Sequence, residues 1–409
     1  MHRLTLLFFL IGFTFTTQAS FRETYALSEP IYQALESARE LAAGEQYQSA
    51  LNILLPLRQK TSLTDYEQAQ IWNLKGYIDY LQSNPGQAIK AYKQILLIND
   101  IPEALSISTL RTLAQLSFTE EDYLQAIHYA HETIKRSSSD QLDLKLLIAH
   151  GEYQRKQYSA SIQQLENMIA NEQQPPESWL QLLRINYQMV NDLPNSARVL
   201  EWLVNDFRNR EYMLALSAVY SQQDEFDKQL TLLESLHDQQ QLSSETHLNA
   251  LVALYLQEGI PDKAAQVLEQ GMAANKLTSS LENLHLLSQA YMLSRNDIKG
   301  IATLKIAAKN NTTGESDLLL ARAYLSQRQW VKAQSHLEGA LDKGVEAKEG
   351  VWFLLGMSQF YQNDLVAANK TLKQITASNR TSKHAKAAEK WLNHIRVEQA
   401  RVQLLNENS

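Results

Sequence analysis

The sequence predicts an all-α fold: a right-handed α-solenoid of about ten helix-turn-helix repeats, closed by a C-terminal capping helix. Three observations carry that prediction. A column of small residues runs the length of the chain at Ala50, Ala88, Ala126, Ser161, Ala197, Ala264, Gly300, Ala333 and Ala368, with Gln229 as the exception. Successive steps, counting Gln229, are 38, 38, 35, 36, 32, 35, 36, 33 and 35 residues. At such a period each helical pair buries its apolar face only against its neighbours. Four residues after the small one stands Leu54, Tyr92, Leu165, Leu233, Leu268, Leu304, Leu337 or Leu372, one helical turn further along the same face. Finally, 13 Gly and 8 Pro in 409 residues leave few element breakers, and helices joined by short turns need few.

Taken in order, the second helix of each repeat announces itself three residues before the small position. Tyr47, Pro85, Tyr123, Tyr158, Pro194, Phe226, Pro261 and Trp330 stand there. Proline in a first turn lacks only an amide hydrogen that had no partner anyway, so the breaker marks a helix start. The first helix of each repeat has its own close-crossing column twelve residues earlier, at Gly76, Ala114, Ala149, Ser217, Val252, Ser288, Ala321 and Gly356. Three residues beyond it Tyr220, Tyr255, Tyr291 and Tyr324 mark four consecutive repeats. Repeat five is irregular: Trp179 lies eighteen residues before Ala197, whereas Trp352 lies sixteen before Ala368. Helix spacing is in question there and at Gln229. After repeat ten, Ser382 to Leu405 carries Ala385, Ala388, Trp391, Leu392 and Ile395 at helical spacing among Lys383, Lys386, Lys390, Arg396 and Arg401. This is the polar-faced cap that solenoid ends require.

These columns resemble the tetratricopeptide family over residues 31–380, most closely in GVWFLLGMSQFYQNDLVAANKTL and LNALVALYLQEGIPDKAAQVLEQGM. A narrower resemblance lies in the phrases between columns, among them SEPIYQALESARELAAGEQYQSALNIL, DYEQAQIWNLKGYIDYL and ESWLQLLRINYQMVNDLPNSARVLEWLV. They are similar to the periplasmic tetratricopeptide proteins that accompany TonB, ExbB and ExbD energy-transduction systems. That resemblance implies a non-catalytic accessory to energised uptake of iron-siderophore or haem complexes, with periplasmic regions of TonB or ExbD as partners. It supplies no catalytic residues. The alternative is a scaffold for envelope assembly, in outer-membrane protein insertion, pilus or polysaccharide export.

The N-terminus adds an address. Arg3, the apolar run Leu4 to Phe15, and Thr17-Gln18-Ala19 before Ser20 read as a signal peptide over 1–19, too short to span a membrane. A lead-in over 20–30, the array over 31–380 and a cap and tail over 381–409 complete the organisation. With no Cys anywhere, neither lipid attachment at the cleavage point nor disulfide formation is open to the chain. The expected compartment is the periplasm, without stable membrane insertion. The net charge of −7 becomes −8 when Arg3 is removed, which argues against nucleic acid as a partner. The basic C-terminal helix reads as a solvated cap face.

Motifs for chemistry are missing. The sequence has no phosphate-binding glycine loop, no H-E-x-x-H helix and no nucleophile elbow. His128 and His131 lack carboxylates to complete a ligand set and read as a surface pair, while Glu120, Glu121 and Asp122 read as helix-start charges. No enzyme activity, cofactor or metal is expected.

A binding site follows from helix geometry instead. Residues one position after the first-helix column, with those four before and three after that position, share one face and line the groove of such an array. They are Asn73, Tyr77 and Tyr80; Arg111, Gln115 and Phe118; Leu146, His150 and Tyr153; then Asn186, Asn249, His285, Gln289, Arg322 and Phe360. Amides and aromatics suit an extended peptide, which needs hydrogen bonds for its backbone and flat shelves for its side chains. Such side chains are expected to stand apart from the interfaces between repeats.

Overall fold

The computed structural model describes residues 25–378 and 381–407. The signal peptide expected at 1–19 lies outside the described residues, as does the beginning of the lead-in. Two compact units divide the chain, residues 1–199 and 200–409. All regular structure among the described residues is helical.

In the first unit, hairpins form from α1 (Glu29–Ala43) with α2 (Tyr47–Leu57), α3 (Asp65–Leu81) with α4 (Pro85–Ile95), α5 (Glu103–Thr119) with α6 (Tyr123–Arg136), and α7 (Leu142–Gln154) with α8 (Tyr158–Ile169). Helix α9 (Glu177–Met189) then turns into α10 (Leu193–Phe207), within which the division falls. The second unit continues with α11 (Arg210–Gln222) and α12 (Phe226–Asp238), α13 (Glu245–Gln257) and α14 (Pro261–Ala273), and α15 (Leu281–Leu293) and α16 (Asp297–Asn310). It ends with α17 (Glu315–Ser326) and α18 (Trp330–Asp342), α19 (Lys348–Tyr361) and α20 (Leu365–Ser378), and the unpaired α21 (Lys383–Glu407). Outside repeat five, these helices follow the small-residue columns of the sequence. Tyr47, Pro85, Tyr123, Tyr158, Phe226, Pro261 and Trp330 are each the first residue of their helix.

Every hairpin turns in the same way. A residue with positive φ follows the first helix: Glu45, Ser83, Glu121, Lys156, Asn191, Asp224, Gly259, Arg295, Arg328 and Asn363. The next amide then reaches back to the carbonyl five residues earlier, as in Asn84 to Asp79 at 2.9 Å, Ile260 to Tyr255 at 2.7 Å and Asn296 to Tyr291 at 2.7 Å. This bond closes a Schellman motif and satisfies a carbonyl that the helix end would otherwise leave bare.

The two small columns meet at the hairpin crossing. Ser161 Oγ donates to the Ala149 carbonyl at 2.8 Å and Ser288 Oγ to the Gly300 carbonyl at 3.1 Å, each linking one column to the other. A Cβ on Gly76 would lie 2.9 Å from the Tyr92 ring, and one on Gly356 2.7 Å from Leu372. The apolar residue four after the second column therefore fills the space that the first leaves open. Leu54, Leu165, Leu233, Leu268, Leu337 and Leu372 are almost fully buried there, each contributing about 1.5–3 kcal/mol of burial.

Repeat five corrects the sequence reading. Its column residue is Ser196, completely buried and three after the start of α10, and not Ala197. The positive-φ residue Asn191 stands five before Ser196, the interval found in every other repeat. The steps on either side become 35 and 33. Two adjacent small residues and a proline tolerated at either of the first two helical positions allow both registers on paper. Gln229 holds its column position without disturbing its hairpin and is itself buried.

Consecutive repeats are also clasped by a polar set that the columns do not announce. The phenol of Tyr220 donates to Glu201 at 2.6 Å and that of Tyr255 to Glu234 at 3.0 Å; Tyr187 makes the same bond to Glu166. Lys263 also binds Glu234, Lys299 reaches Glu269 at 3.1 Å, and both ammonium groups lie over their tyrosine rings, Tyr255 and Tyr291. Burial, and next the neighbouring Glu166, push the Tyr187 phenol up to about 12. At the C-terminal end Trp330 stacks on Tyr361 at 4.4 Å, and Trp391 of α21 meets Tyr361 and Phe360 edge-on. Ala385, Ala388 and Ile395 are buried against α20, while the five basic residues of α21 face water.

Candidate functional site

The first helices of repeats one to three border one cleft of about 350 Å³, which takes in the predicted groove residues Asn73 and Tyr77 but not Tyr80, Arg111, Gln115 or Phe118. Arg39 of α1, Asn73 and Tyr77 of α3, and Ser108, Thr109 and Thr112 of α5 line it, above Leu74 and Tyr92. Helix α3 is held in place at its start by a capping box. Thr64 accepts from the Glu67 amide, and the Glu67 carboxylate accepts from the Thr64 amide and from Ser28. Burial alone would raise the Glu67 pKa, but these hydrogen bonds together hold it below the ordinary carboxylate value.

Within the cleft Tyr77 is 45% exposed, and neither its phenol nor the Asn73 carboxamide has a hydrogen-bond partner among the described residues. Ser108 Oγ donates to the Leu105 carbonyl at 2.9 Å and Thr112 Oγ1 to the Ser108 carbonyl at 3.0 Å. Thr109 is 2% exposed, and its hydroxyl has no partner. The cations nearby are already matched, Arg39 by Glu36 and Lys75 by Asp79 at 2.6 Å. Burial, and next the neighbouring Tyr77 phenol and Asp79 carboxylate, drive the Tyr92 phenol well above its ordinary value.

The other groove residues divide by what they touch. Arg111 is not free: it holds Asp143 at 2.5 Å and also binds Gln141, tying α5 to the start of α7. Phe118 packs edge-on against Tyr123 at 5.3 Å, and Tyr153 lies tilted against Tyr158 at 5.8 Å, each on the opening residue of its own second helix. Gln115, Tyr80, Leu146 and His150 are half-buried along the same first-helix faces. Burial lowers the His150 pKa.

In the second unit, Gln289 and Arg322 are exposed, whereas Asn249 is half-buried with its side-chain oxygen enclosed and unpartnered. His285 Nε2 lies 2.8 Å from Ser316 Oγ, so this histidine also bridges repeats. The pair cannot act as a nucleophile and base on a substrate, because Ser316 is completely buried and bound to Asn311 as well. The expectation that groove side chains stand apart from repeat interfaces therefore fails at Arg111 and His285. Phe360 belongs to the aromatic cluster that fastens α21.

Asn186 is a correction. It is completely buried and donates to the Leu182 carbonyl at 2.8 Å. The one-residue slip in repeat five rotated the assignment by about 100° around the helix. Counted from Ser196, the same face rule selects Gln181, Ile185 and Gln188, of which Gln188 is exposed. Sequence reasoning also missed Arg39, which follows Ala38 as Tyr77 follows Gly76 and was available by extending the column one repeat. The hydroxyl run Ser106, Ser108, Thr109, Thr112 in α5 was a further signal, since such residues have poor reason to cluster inside a helix.

His128 and His131 are both exposed. Asp122 accepts from the Gln125 amide at 3.2 Å as a helix cap, while Glu121 is the positive-φ turn residue. Among the described residues no group of three metal-ligating side chains comes together, and no helix is long and apolar enough to cross a membrane.

No family model and no curated protein matches the sequence. Solved helical-repeat structures resemble it at low identity. A chain of Naa15/Naa10 bound to HypK-THB is 13% identical over 87% of this chain, with a TM-score of 0.44, and this chain spans 64% of that one. A tetratricopeptide repeat protein from Parabacteroides merdae is 13% identical over 64% of this chain and 99% of its own, at 0.37. The C-terminal part of a TPR repeat-containing protein from Cytophaga hutchinsonii is 15% identical over 66% and 93%, at 0.37.

Proposed function

We propose that this protein is a non-catalytic scaffold that holds an extended segment of another protein in the groove of its first three repeats. The observation that carries this reading is the cleft between α1, α3 and α5, where Asn73 and Tyr77 offer uncommitted hydrogen-bonding groups beside an apolar floor. Peptide recognition asks for that combination. The signal-like segment at 1–19 and the phrases similar to TonB-associated tetratricopeptide proteins support a periplasmic role. On this reading the protein assists energised uptake of iron-siderophore or haem complexes, and the bound segment belongs to the periplasmic region of TonB or ExbD.

The test replaces Asn73 and Tyr77 together by Ala, leaving the Arg111 bridge intact. Partner recovery from a periplasmic extract, read by mass spectrometry, should collapse while helicity holds. Growth on a scarce iron-siderophore source should slow, with growth on free iron normal. Lost recovery with normal iron-limited growth would remove the uptake role and leave the groove. Recovered partners drawn from export or pilus machinery would favour envelope assembly.

A further inference from the structure

The hydrogen-bonding valences of the α1–α3–α5 cleft are unequal, and that inequality constrains the ligand. Ser108 and Thr112 have given their only hydroxyl hydrogens to helix carbonyls, so toward the cleft they offer lone pairs alone. Asn73 offers two donor hydrogens and a carbonyl oxygen, and Tyr77 a phenol. Thr109 borders the same cleft with a buried hydroxyl that has no partner, an arrangement that native interiors seldom leave unexplained. Arg39 and Lys75 bring positive charge near, yet Glu36 and Asp79 already match both.

A chain terminus fits this set poorly. A carboxylate is acceptor-only; it would face the lone pairs of Ser108 and Thr112, and the nearest cation, Arg39, already has its charge matched by Glu36. A free amino terminus would lack a carboxylate not already paired. An internal stretch of extended chain brings one N–H and one C=O with every residue. Its N–H groups suit Ser108 and Thr112, and its C=O groups suit Asn73 and Tyr77. We propose that the cleft receives an internal extended segment of the partner through its backbone groups, not a chain terminus; this rests on the groove reading above. Recognition through backbone is tolerant of sequence, so selectivity must come from side-chain contacts elsewhere along the first helices.

The test uses the full mature chain and two phage-displayed random dodecapeptide libraries, one embedded between Gly-Ser linkers and one ending in a free carboxylate. The embedded library should enrich. A synthetic winner, acetylated and amidated, should bind by calorimetry. Asn73→Asp, which replaces the carboxamide's two donor hydrogens by acceptor lone pairs, should weaken that peptide about tenfold. Enrichment confined to the free-carboxylate library, with binding lost on amidation, would overturn the internal-segment inference and leave the groove in place. Failure of both libraries, or binding that survives the Asn73 and Tyr77 double replacement, would overturn the groove reading itself.

Discussion

Arg295 offers a clean measurement of what the hairpin turns cost. Its φ is +62°, its side chain is exposed, and no hydrogen bond or ion pair holds that side chain among the described residues. Its amide donates to the Met292 carbonyl at 3.2 Å, which glycine would preserve. Holding an L-residue in the left-handed region costs about 1–2 kcal/mol, and the greater freedom of glycine in the unfolded chain takes back about 0.5–1 kcal/mol. Arg295→Gly should therefore stabilise by about 0.5–1 kcal/mol. Gly259 is the mirror experiment. Its φ is +69°, and an added Cβ would meet nothing within 4 Å, so Gly259→Ala should cost a similar amount through the backbone alone. Hydrogen exchange read by mass spectrometry suits a repeat array better than a global melt, because opening is regional. Exchange in α15 and α16 should slow by about two- to fivefold in Arg295→Gly and leave distant repeats unchanged. Faster exchange in that variant, or no effect of Gly259→Ala, would refute the strain argument.

Three other outcomes are expected. Gly76→Ala should destabilise by about 1–3 kcal/mol by pressing a Cβ into the Tyr92 ring, seen as faster exchange in α3 and α4; unchanged exchange would mean the crossing relaxes freely. Tyr255→Phe should cost about 1 kcal/mol by unfastening Glu234 from α13, loosening repeats six and seven together. His285 and His150 have pKa values lowered by burial, so the unfolded chain takes up protons first. Stability is full above the ordinary value of 6.5 and falls as pH drops below it. His285→Gln, assayed by urea denaturation between pH 7 and pH 5, should flatten part of that slope; an unchanged slope would clear this residue of any share.

The sequence makes the repeats legible because each column is enforced by something a substitution cannot evade. Two helices cross at Ala264 and Val252, a helix begins at Pro261, and Leu268 fills the space between. Where two neighbours satisfy the same rule, as Ser196 and Ala197 do, one-dimensional reading slips. That slip carried Asn186 from the core to the groove. The cleft was half legible: Asn73 and Tyr77 follow from the column, but the orphaned Thr109 hydroxyl depends on which carbonyls lie within reach. The Glu-Tyr-Lys clasps were hidden for a related reason. Their members sit on three different helices, and surface charges have no period that would single them out.

Arg111 belongs both to the groove face and to the joint between repeats three and four. Its ion pair with Asp143 is partly exposed and worth at most about 1 kcal/mol, small enough for a ligand to compete with. A partner group that draws the guanidinium away from Asp143 and Gln141 must offset that pairing, and the joint then loosens. By linkage the coupling runs equally in both directions: whatever bends α7 away from α5 frees Arg111 and raises affinity by the same factor. On the proposed groove reading, occupancy at Arg111 and the angle between those two repeats would be coupled by at most about 1 kcal/mol.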